Sequence, residues 1–315
     1  MSDLTEVIVL AGGLSHERDV SQRSGRRVAI ALRQAGHQVI ESDVNAGVVD
    51  LLRGHQGAVV FPLLHGGVGE DGALREVFQL LGVPFVGATA AASRVTFDKS
   101  IATPVVAARG VRTPRQIALP HEIFRELGAA ALVESIVGTL GLPVMVKPSR
   151  SGSALGASKV TTADDLPAAM VAAYAYGSMA VVEEFIEGTE VTVTVLGEGE
   201  SAVALPAVEI RPDSGVYDYA SRYTAGSTRF VTPAEVSDEI AAACSELALS
   251  AYRALGLRDL GRIDIMINSA GDPVFIEGNV APGMTETSAV PLALSAAGRE
   301  LGKVCSELVV EAASR

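Results

Sequence analysis

A chain of 315 residues, 48% hydrophobic and 20% charged, is long enough for two or three packed domains and has an ordinary globular composition. Its net charge of -12 argues against a nucleic-acid partner, because that affinity is largely phosphate neutralisation, so any phosphate bound here needs a local basic pocket. No apolar run reaches the length of about eighteen residues that a membrane span needs, and no basic-then-apolar leader opens the chain, so a cytoplasmic protein with no membrane role is expected.

In chain order, EVIVLAGG reads as a buried strand ending in a glycine turn, followed by a helix from Val20 to Ala35 that Gly36 stops. HQVIESD and GAVVFPLL repeat the strand pattern around a short helix, and this alternation predicts a parallel, doubly wound sheet over roughly the first 90 residues. A helix follows from Asp98 to Arg109. The pattern then changes to a helix near Ala129 to Leu140, the strand PVMVK, a Ser/Gly-rich loop, a short strand, a helix from Ala163 to about Tyr174 and the strand VVEEF, which together read as a small α+β unit. From Glu190 onward come the strands VTVTVL and AVALPAVEI. The aperiodic polar stretch from Arg211 to Thr232 reads as a functional loop, since long structureless segments in compact domains usually are. IDIMIN and PVFIEGN, separated by the turn Ser269 to Asp272, predict a hairpin. Cys244 and Cys305 have no metal-ligand spacing and read as buried thiols.

Several of these segments suit anion chemistry. Gly12 to Ser21 joins a strand to a helix, where amides and the helix dipole favour an anion; Glu17 there suits an ammonium instead, and a simple helix cap is the other reading. His65 to Gly72 is a glycine-dense turn after the third strand, where such sheets bind ligands, although His65 taken alone is more often structural. Lys147 leaves a strand and enters Pro148-Ser149-Arg150-Ser151-Gly152-Ser153-Ala154-Leu155-Gly156, a loop whose hydroxyls and amides can close over phosphates. Lys99 is a second possible phosphate ligand or an exposed lysine at a helix start. Glu183, Glu184, Phe185 and Ile186 can present backbone groups and an apolar side chain to an adenine, and Glu190 can accept from ribose hydroxyls; acids at a strand end are also commonly just solvated. In the hairpin, Asp264, Glu277 and Asn279 offer only oxygen donors. Such donors select Mg²⁺ or Mn²⁺ over Zn²⁺, and Mg²⁺ completes its shell with phosphates and water.

Taken in order, AGGLSHERDVS, HGGVGEDG, GVPFVG, FDKSIA, VMVKPSRSGSALG, VVEEFIEGTEVTV, VYDYASRY, GRIDIM and EGNVAPGMTETSAVP resemble the D-alanine–D-alanine ligases of the ATP-grasp superfamily over nearly the whole chain. The resemblance implies an α/β and α+β architecture, the ATP-grasp fold, with an amino-terminal doubly wound domain at 1–96, a central subdomain at 97–187 and a carboxy-terminal subdomain at 188–315. It implies a cytoplasmic homodimer that uses ATP and two Mg²⁺ ions, with Mn²⁺ possible, to join D-amino acids, D-alanine first among them, through an acyl phosphate, for peptidoglycan precursors.

By motif position, Lys99 and Lys147 would hold phosphates, and Asp264, Glu277 and Asn279 the metal ions. Glu17 would bind the first substrate's amine, with Ser153 and Tyr223 as hydrogen-bonding partners near the reacting centre. Arg262 and the backbone of Gly283 would stabilise the oxyanion, Ser288 would bind the second carboxylate, and His65 falls in the substrate site. The loop with Tyr217 and Tyr223 would close over the site.

Where these ligases commonly read Ser-His, this chain has Glu286-Thr287 beside the second-substrate site; Arg222 stands in place of Lys, and Ser151 and Ala154 alter the phosphate loop. These departures leave the ATP chemistry intact and bear on which amino acids are joined, so a related ligase acting on other D-amino acids is the alternative reading.

Overall fold

The computed structural model describes residues 5–213 and 226–315, so Tyr217, Arg222, Tyr223 and most of the expected closing loop lie outside the described residues. The chain opens with β1 (Glu6–Leu10), α1 (Arg18–Gln34), β2 (Gln38–Ser42), α2 (Val48–Gly54) and β3 (Val59–Pro62). The strands form the expected parallel sheet, in the order β2-β1-β3. Both faces of β1 are covered, which is why it reads as a continuous apolar run. Val7 and Val9 pack with Val28, Ala29 and Leu32 of α1, while Ile8 and Leu10 pack with Val48 and Leu52 of α2 and with Phe78, the last on α3 (Ala73–Leu80).

Next come α4 (Ala90–Phe97) and α5 (Lys99–Ala107), separated by Asp98, whose carboxylate accepts from Ser100 N at 3.1 Å and so caps α5. A four-stranded antiparallel sheet follows, in the order β4-β7-β5-β6. Its strands are β4 (Gln116–Pro120), β5 (Val144–Pro148), β6 (Ser158–Val160) and β7 (Met179–Glu184), with α6 (His121–Leu127), α7 (Ala129–Leu140) and α8 (Leu166–Tyr174) between them. Ile136 and Leu140 of α7, and Leu166 and Ala173 of α8, bury against Val144, Val146 and Val182.

The third sheet is antiparallel. It runs β11-β10-β8-β12-β13, with β9 on β8, and comprises β8 (Gly188–Leu196), β9 (Val203–Ala204), β10 (Val208–Pro212), β11 (Thr228–Val231), β12 (Leu260–Asn268) and β13 (Pro273–Asn279). Along β8 the pattern VTVTV alternates: Val191, Val193 and Val195 enter a core with Ala248 and Tyr252 of α9 (Asp238–Ala254), and the threonines between them face the other way. That core also takes Ala92 and Ala102, from α4 and α5. After α10 (Ala289–Ala296), the last helix, α11 (Leu301–Ala313), returns to the first sheet, where Val304, Cys305 and Leu308 share a core with Val28 and Leu32. Both cysteines are buried, and burial raises the thiols to about 11 for Cys244 and about 12 for Cys305.

One buried charge ties these layers together. Asp259, fully buried at φ +65°, accepts from Gly87 N at 2.6 Å and from both terminal nitrogens of Arg315 at 2.8 and 2.7 Å. Asp259→Ala leaves the Gly87 amide unpaired and removes the forked ion pair, so a loss of about 3 kcal/mol is expected. Urea unfolding checks this, and a loss below about 1 kcal/mol would show the contact to be incidental.

Candidate active site

The β12–β13 hairpin carries the expected acids, but strand alternation alone does not bring them together. Phe275 lies in the core, fully buried, and in a regular strand Glu277, two residues on, would share that face. The register instead shifts between Asp264↔Glu277 and Ile265↔Phe275, so Ile276 is an extra residue. This bulge turns Glu277 to the face of Asp264 while Phe275 stays in the core. Gly278 completes the device, since a Cβ there would lie 2.9 Å from Leu255 Cδ1 and 3.0 Å from Thr96 Cγ2.

Each acid is held by a cation. Arg262 places its fork on Asp264, Nε to Oδ1 at 2.7 Å and Nη2 to Oδ2 at 2.8 Å, and Thr192 Oγ1 donates to Oδ1 at 2.7 Å. Thr192 stands directly opposite Asp264 on β8. No motif marked it, but the alternation of VTVTV puts it on the polar face. Lys99 Nζ lies 3.1 Å from Glu277 Oε2 and donates to Ser151 O at 2.8 Å, so the start of α5 reaches both the hairpin and the loop after β5.

Two cavities meet at this point. The larger, about 400 Å³, is lined by Lys99, Lys147, Glu183, Glu184, Phe185, Ile186 and Glu190 among others. Lys147 Nζ and Glu183 Oε1 form a buried pair at 2.5 Å, and Glu183 Oε2 is buried with no hydrogen-bond partner among the described residues. Lys159 places its ammonium 3.9 Å from the centre of the Phe185 ring. Arg211, in the same wall, was not marked by any motif; it donates to Glu209 at 2.6 and 2.9 Å.

The smaller cavity, about 190 Å³, is lined by Glu17, His65, Ser153, Arg262, Asn279, Gly283, Thr287 and Ser288 among others. Lys99, Ser151, Asp264 and Glu277 line both. Ser153 donates to Glu17 Oε1, joining the loop after β5 to the turn before α1. Ser153 and Ala154 adopt left-handed φ values of +53° and +57°, strain retained where the loop turns toward the cavity. His65 is tied on both sides, with Nδ1 2.8 Å from Ala281 O and Nε2 3.2 Å from Ser24 Oγ, and burial lowers its pKa, so the ring is neutral. Ser288 stands at the start of α10 without capping it by its side chain; its Oγ accepts from Thr285 N at 3.1 Å, and a Cβ on Gly283 would meet it at 2.7 Å. Glu286 is exposed and does not line the cavity, whereas Thr287 does.

The hairpin fits a hard divalent cation in its donor set, with two carboxylates on cross-strand neighbours and an amide two residues along. Among the described residues no group of three His, Cys, Asp or Glu forms a protein-only cage. Asn279 Oδ1 accepts from Ala281 N at 2.9 Å, so this donor also shapes the turn after β13.

The chain is similar to known proteins in sequence and in fold. A D-alanine–D-alanine ligase from Pelotomaculum thermopropionicum is 36% identical over 96% of this chain and 95% of that protein. The crystal structure of the VanG D-Ala:D-Ser ligase from Enterococcus faecalis superposes with a TM-score of 0.85 at 27% identity, covering 98% of this chain and 99% of that one. The D-alanine–D-alanine ligase from Bacillus anthracis complexed with ATP gives 0.82 at 25% identity, covering 99% and 98%. The family described as "D-ala D-ala ligase C-terminus" matches residues 105–310. With that match over residues 105–310 and a relative 36% identical over 96% of the chain, this chain belongs to the D-alanine–D-alanine ligase family.

Proposed function

We propose that this protein joins two D-amino acids, D-alanine first among them, into a dipeptide at the expense of ATP. The observation that carries the proposal is the pair of cavities meeting at Lys99, Ser151, Asp264 and Glu277, one lined by two lysines, an aromatic ring and acids that suit a nucleotide and the other with groups for an ammonium and a carboxylate. In this reading Lys99 and Lys147 hold phosphates, Phe185 and Ile186 flank the base, Glu184 lends backbone groups, Glu190 meets the ribose, and the open acceptor of Glu183 receives the base's amino group. Glu17, with Ser153 beside it, binds the first substrate's ammonium and so aims its carboxylate at the shared wall. That carboxylate takes the γ-phosphoryl group as ADP leaves, and the second amine, losing a proton, attacks the carbonyl of the resulting acyl phosphate and displaces inorganic phosphate.

Arg262 and the amide of Gly283 answer the charge that develops on that oxygen. Ser288, at a helix start, suits the second carboxylate. Asp264, Glu277 and Asn279 would hold Mg²⁺, or Mn²⁺, whose charge offsets that of the phosphates. The same reading takes residues 1–96, 97–187 and 188–315 as functional units of a cytoplasmic homodimer with two metal ions, supported by the family resemblance. No helix among the described residues is long and apolar enough to cross a membrane.

A different second D-amino acid is the second reading, and it rests on Thr287 lining the smaller cavity. Phosphate release from ATP and Mg²⁺, assayed over a panel of D- and L-amino acids, decides between them. D-alanine alone is expected to support turnover and yield the dipeptide. Turnover only with D-alanine plus another D-amino acid selects the second reading, and no release with any D-amino acid overturns both.

A further inference from the structure

Two carboxyls, Glu17 from the turn before α1 and Glu70 from the turn before α3, line the cavity assigned to the first substrate. They converge on one glycine. A Cβ on Gly66 would sit 2.6 Å from Glu17 Oε2, while the Gly66 amide donates to the Glu70 carboxyl. Gly66 has φ +70°, so both the space and the backbone there suit a residue without a side chain.

Glu70 is 6% exposed, and the charges that act on it are Glu17, Arg75 from α3 and Arg262 from β12. Arg23, Lys99, Asp264, Glu277 and the neutral His65 line the same cavity. Arg75 does not neutralise Glu70 by a direct fork. Its Nη1 donates to Gly69 O and its Nη2 lies 3.5 Å from Val280 O, so its hydrogen bonds go to the backbone. Burial, and after it the charge of Glu17, raise the Glu70 carboxyl to about 7, against the opposing pull of the Gly66 amide, Arg262 and Arg75.

We propose that Glu70 is a second, proton-linked carboxyl of the ammonium subsite: it is protonated while the subsite is empty, and it ionises, losing its proton to solvent, when the first amino acid's ammonium enters beside Glu17. This rests on the ligase reading above. An empty cavity then avoids two like charges in one poorly solvated place, and an entering cation favours the charged form of Glu70. No covalent step is involved.

The test uses the whole protein carrying a non-hydrolysable ATP analogue, with a pH-indicator dye in lightly buffered solution. Adding pH-matched D-alanine at pH 7 is expected to release about half a proton per chain, falling toward zero by about pH 8.5. In steady-state kinetics, the KM for the first amino acid should be about tenfold higher at pH 6 than at pH 8. Glu70→Gln, which keeps the side chain's size, is expected to release no proton and to flatten that pH profile at the weaker value, with the loss falling on KM more than on kcat. D-alanine binding in the unaltered protein with no proton release at pH 7 overturns the inference and leaves the ligase reading standing, as does unchanged release from the Gln variant. Absence of D-alanine binding to protein that binds the ATP analogue overturns both.

Discussion

Lys147→Ala is expected to lower kcat/KM for ATP by a hundredfold or more, roughly 3 kcal/mol of lost transition-state stabilisation, because in the proposed function the lysine is one of two cations that answer phosphate charge. The structure adds a cost that the phosphate role alone does not contain. Lys147 is paired at 2.5 Å with Glu183, and both side chains are nearly enclosed. Removing the lysine leaves a buried carboxylate without its cation, which typically costs about 3–5 kcal/mol of stability. The two effects separate in the double variant Lys147→Ala/Glu183→Gln: most of the stability should return, and the activity should not. Phosphate release at saturating ATP and Mg²⁺, together with urea unfolding, reads both. Activity within a few-fold of the unaltered protein in Lys147→Ala would remove the lysine from the phosphate site.

A second large effect is expected at Arg262, whose fork holds both oxygens of Asp264. Arg262→Ala should lower kcat by about a hundred- to a thousandfold, the usual cost of losing one oxyanion donor. It also leaves Asp264, which is 4% exposed, with the hydroxyl of Thr192 but without its guanidinium, so the unfolding midpoint should fall as well. Arg262→Lys restores the charge but not the planar fork. It should therefore recover stability more than rate. A kcat for Arg262→Ala within threefold of the unaltered protein, at saturating D-alanine, would sink the oxyanion assignment.

The sequence by itself determined the kind of fold and the chemical inventory of the site. Continuous apolar runs such as EVIVL can be buried only with both faces covered, and VTVTV can only alternate, so the parallel sheet and the polar face of β8 follow from period and composition. The ordered motifs singled out Lys99, Lys147, Asp264 and Glu277 as candidates through their likeness to a family, and the structure sets all four around the meeting cavities. What only the tertiary structure decided is how these groups meet. The bulge at Ile276 reverses a face that simple alternation assigns to Glu277, and a bulge depends on pairing with another strand. The pairing of Lys147 with Glu183 and of Lys99 with Glu277 depends on side chains distant in sequence converging across sheets. Glu70 is the clearest case: in the chain it is one acid in a glycine-dense turn, and only folding buries it and sets it in one cavity with Glu17. Local sequence carries periodicity and donor type, whereas burial and charge proximity are properties of segments brought together from across the chain.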